Sequence, residues 1–573
     1  MEKKKMMKKI LIVLLAGALA ASAVACATTP TDENSSGAVT SGVTSGVQAT
    51  KSNFPGTVDP DMVTMDLRTE PPNLNPITTT DATSGNVLRL TTAGLMKLDA
   101  NDKPVVDLAE SYTVSEDRKT YTFKLRKDAK WNNGDPVTAH DFIFAWTTAM
   151  KKETASNYGF ILYDNILNGD KYFAGKCDES ELGCKAIDDY TLEITFKQPI
   201  PYALNLLAFT TYLPINQKLY EAAGTNAAGD SLYNTEMNLM GYNGPYKITS
   251  WSHNSEMILE KNENYYDPAS VTIPKIKFTM MNDANTRMNA FQGGQSDSIV
   301  LNAQQIEQMK AMNEPIYSYV DNSNWYFQYN LKSEAMKSPK VRKALGDAID
   351  PQSFIDNVLK DGSALANGLV PTSISGANNG KYVDGREDLL DHDLEGAKAL
   401  FDEGLKELNL KPEDVKLTYV CDDTTDSQVF AAYFQQQWKK VLGINVEIKP
   451  LGFQARLDAM RNGNFDIVLA GWSPDYDDAM TFLDMFMVGN GNNYGKYDNQ
   501  KYNDLLKQAM EEPNAAKRQE LLHQAEAILI KQDWAAYPIF FQKRSYVQSN
   551  KVQGVTRTGF QEFDFCDGAQ IVK

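Results

Sequence analysis

Val415-Lys-Leu-Thr-Tyr-Val420, then Gln428-Val-Phe-Ala-Ala-Tyr-Phe-Gln-Gln-Gln-Trp-Lys-Lys-Val-Leu442 with Gly443 behind it, then Ile444-Asn-Val-Glu-Ile448 decide the fold. The first and third are short apolar runs of strand length. The middle one carries a helical period and a glycine stop. A strand, a helix and a strand at this spacing make a βαβ unit with parallel strands and a right-handed crossover. A second helix follows from about Gln454 to Arg461, stopped near Gly463, and then the apolar strand Phe465–Ala470. Ligands of open α/β sheets bind just beyond the carboxyl ends of such strands. The loop after Ala470 is therefore the first place to look for a site.

Working outward, the same grammar returns upstream. Arg287, Ala290, Gly294 and Asp297 lead to Ile299-Val300, as Arg456, Ala459, Gly463 and Asp466 lead to Ile467-Val468. Helix, glycine, strand is a common pattern, but its recurrence at equal spacing fits two similar lobes. Between residues 120 and 196 the pattern changes. Tyr121, Phe123 and Leu125 alternate with polar residues, as do Tyr190, Leu192, Ile194 and Phe196, which reads as half-buried strands. Thr138 and Asp141 form a capping box that opens a helix, and Phe142, Ala145, Trp146, Ala149 and Met150 are its apolar stripe. Ordinary core packing accounts for that stripe.

The N-terminus reads as an export signal. Lys3, Lys4, Lys5, Lys8 and Lys9 precede an apolar run from Ile10 to Ala25 that is short for a membrane span, which needs about 20 residues. Cys26 follows Ala23-Val24-Ala25, a match to a bacterial lipobox with Ala23 in the usual leucine position. A lipidated Cys26 would be the first mature residue; an ordinary signal peptide cut in the same stretch is the alternative. Residues 27–56, rich in Thr, Ser, Gly and Val, lack the apolar surface to offset ordering entropy and read as a disordered tether. The body from Val58 onward is long enough for two or more domains.

Charge and cysteine use narrow the class. The chain carries 57 Lys and Arg against 74 Asp and Glu, net −17, and loses a further excess of lysine if cut before Cys26. This acidity argues against a nucleic-acid or anionic-membrane surface. Beyond Cys26 there are only Cys177, Cys184, Cys421 and Cys566. Cys177 and Cys184 flank a polar loop that can turn back on itself, so a local disulfide is expected in an exported protein. Free thiols are the alternative, and no histidine stands close enough to complete a zinc site.

Several separated motifs carry a family resemblance. Leu108-Ala-Glu-Ser-Tyr-Thr-Val-Ser-Glu-Asp117, Tyr121-Thr-Phe-Lys-Leu-Arg-Lys-Asp-Ala-Lys-Trp131 and Asn133-Gly-Asp-Pro-Val-Thr-Ala-His-Asp141 resemble the signature of family 5 extracellular solute-binding proteins. Gly244-Pro245-Tyr246, Asn262–Tyr266, Lys340-Val-Arg342 with Ala344-Leu345, and Gly471-Trp472-Ser-Pro-Asp475-Tyr476 follow in the same order. Within the family the chain is most similar to oligopeptide-binding proteins of ABC importers. The resemblance covers essentially all of residues 60–565. It implies an α/β, two-lobed periplasmic-binding-protein-like fold (type II, cluster C) with a domain inserted in the first lobe. Carried onto this chain, 1–25 is the signal peptide and 26–57 the lipidated cysteine and tether. Lobe I is then 58–92, 241–322 and 541–573, the inserted domain 93–240, and lobe II 323–540. Hinge crossings fall near Asn322 and Phe540.

The resemblance also implies roles. Asp475 matches the aspartate that pairs with a peptide's α-ammonium; an acidic solvated loop with Asp477 and Asp478 is the alternative. A peptide of varied sequence has to be held through its backbone, by strand-like pairing. Thr80, Asp81 and Ala82 match the segment that does so on lobe I, and the backbones of Gly471 and Ser473 do so on lobe II. Trp472, Phe453 and Tyr158 match pocket walls, with core packing as the alternative. Leu469 replaces an arginine that holds the ligand's C-terminal carboxylate in some members. The implied function is a lipid-anchored, monomeric, extracytoplasmic receptor that delivers oligopeptides to a membrane permease, with no cofactor and no metal. A family member for a non-peptide ligand (oligosaccharide, metal chelate or cell-wall fragment) is the runner-up. An exported hydrolase finds no support, since there are four histidines and neither an HExxH nor a GxSxG stretch. Nor is there a GxxxxGK[ST] loop, so ATP is hydrolysed elsewhere.

Overall fold

The computed structural model describes residues 51–566 and 568–572. The export signal, Cys26 and the tether up to residue 50 lie outside the described residues. In chain order the main elements are β1 (Met62–Asp66), α1 (Ala82–Thr91), β2 (Ala109–Val114), β3 (Thr120–Leu125), α2 (Ala139–Met150), β4 (Cys184–Asp188), β5 (Thr191–Thr195), β6 (Tyr246–Ser252), β7 (Glu256–Lys261), β8 (Lys275–Thr279), α3 (Ala284–Gln292), β9 (Ser298–Val300), β10 (Tyr317–Tyr329), β11 (Leu417–Asp422), α4 (Thr425–Val441), β12 (Val446–Leu451), α5 (Phe453–Arg461), β13 (Ile467–Trp472) and β14 (Ala536–Gln548).

One mixed sheet runs through the two-lobed α/β fold in the order β12-β11-β13-β10-β14-β9-β1-β8-β7-β6. The βαβ unit forms as its sequence dictates: β11 and β12 pair in parallel from Leu417–Val446 to Asp422–Leu451, with α4 between them in the chain. Phe434 and Trp438 of α4 are fully buried against Tyr419 and Phe327. At the centre the long strands β10 and β14 run antiparallel. Their register breaks between Val320 and Asn324, where Asn322 adopts a φ of 56°.

About that central pair the sheet repeats itself. β13 lies on β10 and β9 lies on β14, each antiparallel, and each is in turn parallel to its next neighbour, β11 or β1. The helix–glycine–strand echo is the chemical basis. Gly294 (φ 67°) and Gly463 (φ 71°) both take the left-handed turn that lets α3 and α5 end and reverse. Asp297 accepts the Thr64 N–H at 2.8 Å, and Asp466 accepts the Thr418 N–H at 2.8 Å. Arg287 Nε lies 3.3 Å from the last carboxylate of β1, Asp66, as Arg456 Nε lies 2.6 Å from the last of β11, Asp422.

A separate four-stranded antiparallel sheet, β2-β3-β5-β4, forms from residues 109–195. Beside it α2 opens on Thr138, whose N–H donates to Asp141 at 2.7 Å. Phe142, Ala145, Trp146, Ala149 and Met150 are all buried, and Trp146 Nε1 donates to the Tyr212 carbonyl at 3.0 Å.

Two expectations need correction. The Cys177–Cys184 disulfide does not form: both are free. Cys177 directs its thiol at the Asn168 carbonyl, 3.6 Å away, while Cys184 is buried at the head of β4 in register with Ile194. Nor is the end of the tether loose. Asn53 N–H donates to Glu314 at 2.9 Å and Phe54 packs on Phe291 with centroids 4.9 Å apart. Thr57 donates twice to Asp297, both at 2.8 Å. A single aromatic and a few polar groups suffice because the body offers them buried partners.

Candidate ligand-binding site

The site begins where β13 runs out of neighbours. β10 follows β13 as far as Trp472, but β11 pairs with it only at Ile467 and Val468. From Leu469 onward one edge of β13 carries no strand of the described residues. Gly471 is needed on the other edge, since a Cβ there would stand 2.8 Å from the Trp325 ring. Pro474 then turns the chain into a cavity of about 310 Å³.

Asp475 lies in that cavity and is held from both sides. Tyr158 Oη donates to Oδ1 at 3.1 Å and Thr481 Oγ1 donates to Oδ2 at 3.4 Å. Thr481 Oγ1 also accepts the Asp475 N–H at 3.1 Å and the Trp472 indole N–H at 3.3 Å. One hydroxyl thus fixes the carboxylate and the aromatic wall together. No Lys or Arg stands within ion-pair distance of Asp475 among the described residues. Burial pushes its carboxyl up to about 7, opposed by the Tyr158 and Thr481 hydrogen bonds and by Arg89. Behind it Asp484 accepts from Tyr476 Oη at 3.3 Å, and burial holds its carboxyl far above the usual range.

The neighbouring acids have other duties. Asp477 accepts from Ser375 N–H and Oγ at 2.9 and 2.6 Å, and Asp478 takes a two-pronged contact from Arg518 at 2.7 and 2.8 Å. The run 475–478 is therefore not a uniform solvated loop; Asp475 alone of its three aspartates faces the cavity.

The cavity brings together all nine residues that the sequence singled out for ligand contact: Thr80, Asp81, Ala82, Tyr158, Phe453, Gly471, Trp472, Ser473 and Asp475. Their surroundings differ. Tyr158 is buried, edge-on to Phe209 at 5.4 Å and tilted against Trp472 at 6.3 Å. Phe453 opens α5 and sits under the Arg456 guanidinium, 5.2 Å from its ring centre. Asp81 is an N-cap: its carboxylate accepts from Ser84 N–H at 2.8 Å and Ser84 Oγ at 2.7 Å. Its backbone is extended, but Ala82 already begins α1, so an extended edge along Thr80–Thr83 stops at Asp81. Thr481, Asn492 and the arginines of the lining escaped sequence reading. No local pattern marks them, because tertiary folding brings them to the cleft.

Known proteins share this architecture. The sequence profile of bacterial extracellular solute-binding proteins, family 5 Middle, matches residues 103–494. The oligopeptide-binding protein OppA of Bacillus subtilis (strain 168) is 34% identical over 514 residues, 87% of this chain and 91% of that protein. The dipeptide-binding protein DppE of the same organism is 30% identical over 478 residues, 83% of this chain and 86% of its own. The structure of Listeria monocytogenes OppA bound to peptide superposes with a TM-score of 0.83 at 32% identity, covering 90% of this chain and 99% of the other.

Proposed function

We propose that this chain, which belongs to the bacterial extracellular solute-binding proteins of family 5, is the extracytoplasmic receptor of an ABC importer and captures oligopeptides between its lobes. The observation that carries the reading is Asp475: a carboxylate held by hydroxyls inside a cavity, without a cation of its own, beside the unpaired edge of β13. A peptide's ammonium supplies the missing charge, in a site where a charge-assisted contact is strong. Its backbone supplies hydrogen bonds for Leu469–Ser473, by strand addition. Trp472, Tyr158 and Phe453 offer aromatic walls that tolerate varied side chains.

The same reading gives the rest of the chain its work. Lobe I comprises residues 58–92, 241–322 and 541–573, the inserted domain 93–240 and lobe II 323–540. The register break at 320–324 is the hinge, where a few residues absorb the rotation of closure. Cys26 carries a lipid that holds a monomeric receptor at the membrane, near the permease it feeds. No step of chemistry on the ligand is required. Native mass spectrometry of the full chain, purified without unfolding, tests the class directly. Bound masses that fragment as short peptides are expected; a single non-peptide mass would move the protein to the runner-up ligands and remove Asp475's role.

A further inference from the structure

Four arginines line the cleft: Arg68, Arg89, Arg456 and Arg544. Three are already matched by acids. Arg68 pairs with Glu562 at 2.9 Å, Arg456 with Asp422 at 2.6 Å, and Arg544 with Asp321. Arg89 is the exception. Its guanidinium makes one long contact, to Asn86 Oδ1 at 3.5 Å, and no carboxylate of the described residues lies within ion-pair distance. It lies back along α1 toward the helix N-terminus, with Nη1 4.0 Å from where a Cβ on Gly85 would stand. Arg89, Thr210 and Gln561 also line a smaller cavity of about 70 Å³.

A half-buried cation without an ion pair costs stability, and a bound anion removes that cost. Arg89 feels the charges of Asp102 and, more weakly, of Asp475, and touches neither. Arg89 and Asp475, two opposite charges neither of which makes an ion pair among the described residues, thus line one cavity, a pattern complementary to a ligand that carries both signs near one end.

We infer that Arg89 is the binding site for a ligand carboxylate lying close to the ammonium held by Asp475. The carboxylate comes from an Asp or Glu side chain at the start of the peptide, or from the C-terminus of a very short one. A planar guanidinium suits this work, because it grips a carboxylate through two parallel N–H donors. The inference rests on the peptide-receptor reading above and adds a preference to it.

The test titrates the full chain with matched peptides that differ only in one acid or amide. Glu replaces Gln at each position in turn, and a free C-terminus replaces an amidated one in peptides of two to five residues. The wild type is expected to prefer the acid by about 10–100-fold at one site near the ammonium, the worth of a buried hydrogen bond to a charged group. Arg89→Gln should bring that preference below about threefold while amide ligands bind both proteins alike. Arg89→Lys should keep part of it as a point charge, and serves as the second variant should Arg89→Gln not fold. Equal affinity for every acid and amide pair in the wild type overturns the inference, as does a preference that survives in Arg89→Gln. A wild type that binds none of these peptides overturns the receptor reading itself.

Discussion

Asp475 concentrates the account at the scale of one residue. Burial holds its carboxyl at about 7 in the empty cleft, and only the ionised form pairs with an ammonium. Below that pH, binding must expel a proton, so affinity for peptides with a free N-terminus should fall as pH drops, by about tenfold per unit. Above about pH 8 the ligand's own amine loses its charge, so affinity peaks between the two limits. Calorimetric titrations across pH check both limbs; an N-acetylated peptide should show neither. The stability sign runs the other way. Because the folded value is raised, the contribution of neutral Asp475 is fully present below about pH 4 and lost as pH rises through about 7. Asp475→Asn should therefore raise the melting temperature of the empty protein at pH 8 and leave it unchanged near pH 4. Thr481→Val removes the hydroxyl that orients both Asp475 and Trp472, and should weaken peptide binding by about 5–30-fold, or about 1–2 kcal/mol, in the same titrations. The apolar strand pointed to the loop after Ala470 and the family resemblance to Asp475 within it, but neither could point to Thr481 or Arg89. Their importance comes from what folding sets beside them. Sequence reading misjudged Cys177 and Cys184, since closeness along the chain says nothing of a thiol committed to a strand core.

At the scale of elements, the two halves of the sheet were legible as a pattern and illegible as chemistry. Equal spacing of Arg, Gly and Asp in 287–297 and 456–466 is visible in the sequence. What it serves is not: each arginine reaches the last acid of a strand distant in sequence, Asp66 or Asp422. The two pairs differ in burial. Asp66 is almost fully buried and burial pushes its carboxyl up to about 6, whereas Asp422 is partly exposed at the cleft. Arg287→Met should therefore cost about 3–5 kcal/mol by leaving an uncompensated acid in the core, and Arg456→Met clearly less. Denaturant unfolding of the empty variants measures both; equal costs would contradict the difference in burial. The βαβ unit and α2 were readable because period and caps agree there. The unpaired edge of β13 was not, because strand pairing is a property of the assembled sheet.

At the scale of the whole molecule, contacts made between the halves without touching the cleft should set how readily it closes. Tyr202, from the segment read as the inserted domain, stacks on Tyr476 with centroids 4.4 Å apart and planes 4° from parallel. Arg518 lies 5.6 Å over Tyr202 while holding Asp478. Tyr202→Ala removes a stack worth about 0.5–1.5 kcal/mol, so peptide affinity should fall about 2–10-fold through the closed population alone. Small-angle scattering should show a more expanded mean shape for that variant at a subsaturating peptide concentration. The overall two-lobed plan was legible from ordered motifs. The docking of residues 52–57 on the body was not, since it depends on buried acids at 297 and 314 that await them.

The most direct measurement compares one tripeptide with its N-acetylated twin on the full-length wild type and on Asp475→Asn. Acetylation should cost the wild type about 10–100-fold in affinity and cost the variant less than about threefold, because the charge it removes has no partner left. The same acetylation cost in both proteins would contradict the account and leave Asp475 a structural residue of the cleft wall.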